Sequence, residues 1–135
     1  MKLHYRFILV VLVCSLASNS YSQRNYKYHT SSKKAIKLFE LGTDQYDLRK
    51  AGLAAKYIEE AVTVDSNFIE AHTLLGDVYY DLKVYDKSAK AYLHAIRIDP
   101  NFFSKTYKNL ARAEIKRMRY DNAIEALKKY LDTPN

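Results

Sequence analysis

Residues 72–100 read HTLLGDVYYDLKVYDKSAKAYLHAIRIDP. Their apolar side chains recur at helical spacing in two runs, which a short polar segment around Lys83 separates. Gly76 lies within the first run, and Pro100, which has no backbone N–H to continue a helix, follows the second. The stretch therefore predicts two consecutive helices joined by a short turn.

The same pattern recurs along the chain at an offset of 34 residues. The identical pairs at this offset are Gly42 and Gly76, Ala61 and Ala95, Asp65 and Asp99, Asn67 and Asn101, and Phe68 and Phe102. An internal repeat of this length indicates stacked helix pairs. We predict helices at 33–48, 51–64, 69–82, 85–98, 104–118 and 120–132. The helices of a pair should cross at the small residues Gly42, Gly76 and Ala111.

The repeat resembles that of the tetratricopeptide (TPR) family, whose pattern runs W-x2-L-G-x2-Y, then A-x3-F, then P. Residues 69–102 match it best, with His72 where tryptophan is usual and Ser88 where alanine is usual. The units 35–68 and 104–135 match less closely. The resemblance implies an all-α fold, an α-solenoid of three helix-turn-helix pairs with a right-handed superhelical twist.

The N-terminus has the layout of a secretory signal peptide. Lys2 and Arg6 precede an uncharged apolar run, residues 7–17, which is too short to cross a bilayer. Small residues follow, and we expect cleavage between Ser22 and Gln23. The protein should then be exported, to the periplasm or in association with the outer membrane.

Cleavage would divide the chain into a signal peptide at 1–22, a flexible tail at 23–32 and a TPR domain at 33–135. It would also remove Cys14, the only cysteine, so the mature protein could form neither a disulfide nor a thiolate metal site. Acylation of Cys14 is a competing interpretation, which the bulky residue before it disfavours.

The sequence carries no signature of catalysis. No histidine of the mature part has a second ligand at i+3 or i+4, and three glycines cannot build a glycine-rich phosphate loop. No serine lies in a nucleophile motif. We therefore predict no enzyme activity, catalytic residue, metal, cofactor or small-molecule substrate. His72 should be a partly buried structural histidine, because the family places a large packing residue there.

The resemblance also implies a concave groove, lined by the first helix of each pair, that binds a partner. Carried onto this sequence, the groove residues are Phe39, Thr43, Tyr46, Thr73, Asp77, Tyr80, Lys105, Lys108, Arg112 and Lys116. The groove should be aromatic at one end, acidic in the middle and basic at the other. An alternative is that Phe39 packs under the tail, while Tyr46 and Tyr80 merely cover the helix surface.

The basic residues of the groove, Lys105, Lys108, Arg112 and Lys116, share one helix face. The face either keeps the protein soluble or contacts an anionic lipid or glycan. Some TPR proteins grip acidic chaperone tails with a carboxylate clamp, but only Lys105 of its five equivalent positions matches here. That clamp is therefore not expected.

Two classes of function remain for this chain of net charge +7. One is a scaffold in the cell envelope that binds a protein or peptide, and the other is a protein that binds the anionic envelope surface. Nucleic acid is not an expected partner of an exported protein. A looser resemblance, to the periplasmic TPR block of Bacteroidetes envelope proteins that also carry β-propeller and OmpA-like domains, implies a secretion or gliding assembly. Leu127 and Leu131, near the C-terminus, should form an apolar contact.

Overall fold

A computed structural model describes residues 27–133 of the chain. These residues form six helices and contain no β-strand: Lys33–Asp47 (α1), Ala51–Val64 (α2), Ile69–Asp81 (α3), Tyr85–Ile98 (α4), Lys105–Lys116 (α5) and Tyr120–Asp132 (α6). The predicted all-α fold is confirmed, and every predicted helix boundary lies within two residues of the observed one. The predicted signal peptide lies outside the described residues.

The helices stack as three pairs. Each helix packs most extensively against the other member of its own pair, and the second helix of one pair packs on the first helix of the next. The first helices α3 and α5 also touch directly. The first helices are therefore neighbours on one side of the stack, which is the arrangement that creates a common groove. None of the described helices is long and apolar enough to cross a membrane.

The two glycines at the predicted crossings are required by close packing. A Cβ atom on Gly76 would lie 2.4–2.8 Å from ring atoms of Tyr92, and one on Gly42 would lie 2.5 Å from Ile58 Cγ1. Real Cβ atoms do not approach other atoms so closely. Ala111 occupies the corresponding place in the third pair and is 1% exposed. The crossings thus lie where the sequence predicts them.

The turns inside the three pairs share one backbone geometry. The residue after each first-helix cap is left-handed although it is not glycine: φ is 61° at Arg49, 61° at Lys83 and 58° at Met118. The following N–H groups donate back into the preceding helix, as Lys50 N does to Gln45 O and Val84 N to Tyr79 O, both at 2.9 Å. This 6→1 bond is the Schellman motif that commonly ends helices.

Residues 28–32 are packed and hydrogen-bonded, although the sequence predicts a flexible tail at 23–32; residues 23–26 lie outside the described residues. Tyr28 packs edge-on against Phe39 and Phe68, with ring centroids 5.4 and 5.7 Å apart. Thr30 donates a hydrogen bond to Asp65, and Ser32 caps α1 by accepting from Ala35 N at 3.3 Å. Tyr28 packs here because it covers apolar surface that the first helix pair would otherwise leave in water.

Candidate functional site

A cleft of about 510 Å³ opens between α1, α3 and the turn before α5. It is lined by Tyr28, Phe39, Glu40, Thr43, Asp44, Glu70, Thr73, Leu74, Asp77, Phe102 and Phe103. Four residues of the predicted groove, Phe39, Thr43, Thr73 and Asp77, are among them. Thr43 Oγ1 donates to Phe39 O at 2.9 Å and Thr73 Oγ1 donates to Ile69 O at 3.0 Å, so both hydroxyl protons are already engaged within their own helices.

Phe39 is not an exposed aromatic anchor. Its side chain is only 8% exposed, because Tyr28 covers it and Phe68 packs against it with ring centroids 4.9 Å apart. The alternative, that Phe39 packs under the N-terminal segment, is the one the structure supports. The exposed aromatic surface of the cleft comes instead from the turn before α5, where Phe103 is 51% exposed.

Sequence reasoning missed Phe102 and Phe103. Both lie outside the helices that the family pattern uses, and Phe103 is the extra residue between the second and third units. The inserted residue is aromatic, and this could have indicated a binding role in advance. An insertion that only adjusts the spacing between units does not need an aromatic side chain. In the structure, Phe102 is half-buried against the ring of His29, at a centroid distance of 4.8 Å.

Tyr46 and Tyr80 lie outside the cleft lining and are engaged by neighbouring side chains. Tyr46 Oη donates to Asp81 Oδ2 at 2.6 Å, and burial together with this carboxylate raises the pKa of Tyr46 far above its usual range. The ring of Tyr80 packs edge-on against Tyr85 and lies 4.6 Å from the guanidinium of Arg112. Both tyrosines therefore cover the helix surface, which agrees with the alternative interpretation of the sequence rather than with a role as exposed groove residues.

The polar lining of the cleft is acidic. Glu40 and Asp44 are exposed, Asp77 is half-buried and Glu70 is buried, while no basic side chain lines the cleft. Asp77 Oδ1 accepts hydrogen bonds from Tyr92 Oη at 2.5 Å and from Asn109 Nδ2 at 3.1 Å. Burial nevertheless raises the pKa of Asp77, so the cleft compensates this carboxylate only in part.

One carboxylate oxygen of Glu70 has no hydrogen-bond partner among the described residues. Its Oε1 accepts from the backbone N–H of His29 at 3.1 Å and lies 2.8 Å from His29 Nδ1. Its Oε2 is buried and has no hydrogen-bond partner among the residues that the structure describes. A buried carboxylate oxygen without a partner is costly, and such atoms in folded proteins commonly mark a position where a ligand or water belongs.

The predicted basic face is exposed. None of Lys105, Lys108, Arg112 and Lys116 forms an ion pair with a residue in the described part of the chain. Lys105 and Arg112 nevertheless lie near enough to Asp77, which lines the cleft, for their charges to oppose the rise in its pKa. Lys116 lines a separate depression of about 400 Å³ together with Arg117 and Arg119, at the turn end of α5.

His72 is a packing residue, as expected. It is 8% exposed, its Nε2 lies 2.9 Å from Ser66 O, and its ring stacks on His94 with centroids 5.2 Å apart. Burial lowers the pKa of His72. Within residues 27–133 no three His, Cys, Asp or Glu side chains are grouped so that they could hold a metal ion.

The last helix presents apolar side chains to solvent. Leu131 is 79% exposed, Ile124 52% and Leu127 39%. A shallow depression of about 350 Å³ beside them runs between α4, α5 and α6 and includes Leu93. The predicted positions of Leu127 and Leu131 at the surface agree with the structure, and their role in a contact stays a prediction.

Comparisons with known proteins agree with this architecture. The family model of the tetratricopeptide repeat matches residues 39–101. The Hsp70-Hsp90 organising protein of Plasmodium falciparum (isolate 3D7) is 35% identical over 100 residues, which are 70% of this chain and 18% of that protein. The chain thus spans less than a fifth of the length of this relative.

Solved structures share the fold. The crystal structure of MamA aligns with a TM-score of 0.70 at 25% identity, over 73% of this chain and 57% of that chain. The first TPR domain of Spaghetti (RPAP3), bound to the HSP90 peptide SRMEEVD, aligns with a TM-score of 0.71 at 19% identity, over 77% of this chain and 82% of that chain. Three stacked helix pairs, the match over residues 39–101 and these neighbours show that the protein has the tetratricopeptide-repeat fold and support its place in that family.

Proposed function

We propose that this protein is an exported scaffold of the cell envelope, whose cleft between α1, α3 and the turn before α5 binds a segment of a partner protein. The observation that carries the proposal is the cleft itself. It combines an exposed aromatic ring, Phe103, with a polar wall on two neighbouring first helices. Concave surfaces with aromatic anchors are common sites of protein recognition.

The comparisons favour binding over catalysis. Proteins of the tetratricopeptide-repeat family are typically scaffolds without enzymatic activity. The TPR domain of Spaghetti is solved with a peptide bound, which supports a peptide as the ligand of this fold. The acidic character of that peptide does not transfer to this chain, because the residues lining the cleft are themselves acidic.

Export is the part of the proposal that rests on sequence alone. It is supported by the basic start at Lys2 and Arg6, by the apolar run 7–17 and by the small residues before Gln23. The resemblance to TPR blocks of Bacteroidetes envelope proteins supports a place in a secretion or gliding assembly. The mass of the mature protein from the envelope fraction tests this part, because cleavage after Ser22 leaves Gln23 as the first residue.

A pair of threonine variants tests the binding role of the cleft. Thr73 lines the cleft and Thr63 is exposed on α2, yet each donates its hydroxyl proton to the carbonyl four residues earlier in its own helix. Thr73→Arg should abolish capture of the partner from envelope extract, because the long side chain fills the cleft. Thr63→Arg adds the same charge and should capture as well as the wild type. Equal capture by both variants would exclude the cleft.

The alternative function, contact with anionic lipid or glycan, is favoured by the exposed and unpaired basic face of α5. Salt separates the two functions, since exposed charges more than about 10 Å apart are screened at roughly 0.1 M ionic strength. Binding to vesicles that contain anionic lipid should disappear between low and moderate salt. Binding of a segment anchored on Phe103 should weaken much less.

A further inference from the structure

We propose that the segment bound in the cleft is cationic and apolar: a lysine or arginine side chain meets the carboxylate wall, and a large apolar side chain beside it packs on Phe102 and Phe103. This inference rests on the proposed binding role of the cleft and names the chemistry of its ligand. Three properties of the lining support this inference: its charge, the Glu70 oxygen that has no hydrogen-bond partner, and the position of the aromatic turn.

The charge of the lining selects against an acidic ligand. Glu40, Asp44, Glu70 and Asp77 line the cleft, and no lysine or arginine does. An incoming carboxylate would meet these four groups, and Lys105 and Arg112, the lysine and arginine that act on Asp77, are not part of the lining. A cation, in contrast, could pair with the lining carboxylates directly. The carboxylates come from two separate helices, α1 and α3, so they converge on the space between them.

The hydrogen bonding of Glu70 supports the inference independently of the net charge of the lining. Its side chain is only 8% exposed and its Oε2 has no hydrogen-bond partner among the described residues, although Glu70 lines the cleft. His29, which holds the other oxygen, has a side chain that is 57% exposed. Because Glu70 lines the cleft, a donor bound there can pair with Oε2 once a small movement of the Glu70 side chain exposes this buried atom. Lysine and arginine make the strongest such bonds, because both partners are charged.

The aromatic turn determines the rest of the ligand. Phe103 is 51% exposed, and Phe102 and Leu74 continue its apolar surface into the cleft. A cation alone would leave this surface in water. An extended segment that carries a large apolar side chain two positions from its cation would bury both features at once, because alternate side chains of an extended peptide point to the same face.

Selection from a random peptide library identifies the ligand class even while the natural partner is unknown. Phage-displayed random twelve-residue peptides are selected on the intact mature protein. The selected peptides should be enriched in lysine or arginine two positions from leucine, phenylalanine or tyrosine, and depleted in aspartate and glutamate. Enrichment of acidic peptides that fail to bind Thr73→Arg would overturn this inference while retaining the cleft as the binding site. A selection without any enriched peptide, or one unaffected by Thr73→Arg, would overturn the proposed function as well.

Fluorescence anisotropy of the best selected peptide then tests the role of Glu70. Glu70→Gln should weaken binding about ten- to a hundredfold, the range for a charge-assisted hydrogen bond. Glu60→Gln makes the same change at an exposed position of α2 that does not line the cleft, and should leave the affinity within about twofold.

Replacing the lysine of the peptide with norleucine completes a double-mutant cycle. The replacement should weaken binding to the wild type but have little further effect on Glu70→Gln, since the interaction is already lost. If the two changes are instead additive, the peptide cation does not contact Glu70 and the inference is wrong. Should Glu70→Gln fail to fold, Asp44→Asn at the exposed end of the same wall gives the same cycle, with a smaller expected loss of about threefold.

Discussion

Gly76 and Tyr92 set the closest approach between α3 and α4. Tyr92 is 1% exposed, donates to Asp77 at 2.5 Å, and has ring atoms 2.4–2.8 Å from the place where a Cβ of Gly76 would be. Ser88, also fully buried, donates to the carbonyl of Gly76 at 2.8 Å. Serine can therefore replace the alanine that is usual at this position, because its buried hydroxyl group has a hydrogen-bond partner.

Gly76→Ala should lower the free energy of unfolding by about 1–3 kcal/mol, the usual cost of overpacking, because ring atoms of Tyr92 would clash with the added methyl group. Gly52→Ala is the matched control. No atom lies within 4 Å of the Cβ that it would add, and alanine favours helix, so stability should rise slightly, by up to about 1 kcal/mol. Urea denaturation measures both. Equal effects would mean that the crossing at Gly76 is not tight.

His72 should make stability depend on pH in the mildly acidic range. Burial lowers its pKa from the ordinary 6.5, so the unfolded chain takes up a proton at a higher pH than the folded one does. The free energy of unfolding should therefore fall as the pH falls below about 6.5. His72→Gln keeps a donor for Ser66 O but does not titrate, and its loss of stability from about pH 7.5 to about pH 5.5 should be smaller than that of the wild type. Identical losses would contradict this role.

At the level of helices and turns, periodicity predicted all six elements, because each helix buries one face against its pair and the repeat fixes the spacing. The turns were less predictable. Arg49, Lys83 and Met118 take positive φ without being glycine, so composition gave no sign of their conformation. The packing of Tyr28 was missed for a related reason, since one apolar residue in a polar segment has no period to reveal it.

Glycine at a left-handed turn position should increase the stability of the protein. Lys83→Gly should raise the free energy of unfolding by about 0.5–1 kcal/mol, because glycine adopts φ near 61° without the steric cost that a Cβ brings. Lys90→Gly removes the same side chain from an exposed position inside α4 and should lower stability by about 1 kcal/mol. Thermal melts of the two variants should therefore shift in opposite directions. A loss of stability in both would show that the Lys83 side chain itself is needed.

At the scale of the whole molecule, three surfaces of different chemistry follow one another along the stack. The acidic cleft lies between α1 and α3, the basic face lies on α5, and exposed leucines lie on α6. Sequence predicted the basic face and the leucines, because single helices carry them. It predicted the cleft only in part, since Phe102, Phe103 and the orphaned oxygen of Glu70 depend on how a turn and the segment before α1 meet two helices.

The cleft and the exposed leucines of α6 are alternative contact surfaces for a protein partner, and cross-linking inside the native cells distinguishes these two. A photo-reactive phenylalanine analogue is placed at Glu40 on the cleft, at Glu60 on the exposed side of α2, or at Leu131 on α6. Glu40 and Glu60 are both exposed and both helical, so they form a matched pair. We expect one discrete cross-linked protein in the envelope fraction from position 40 and none from position 60. Cross-linking from position 131 alone, or equally from 40 and 60, would contradict the claim that the cleft is the binding site.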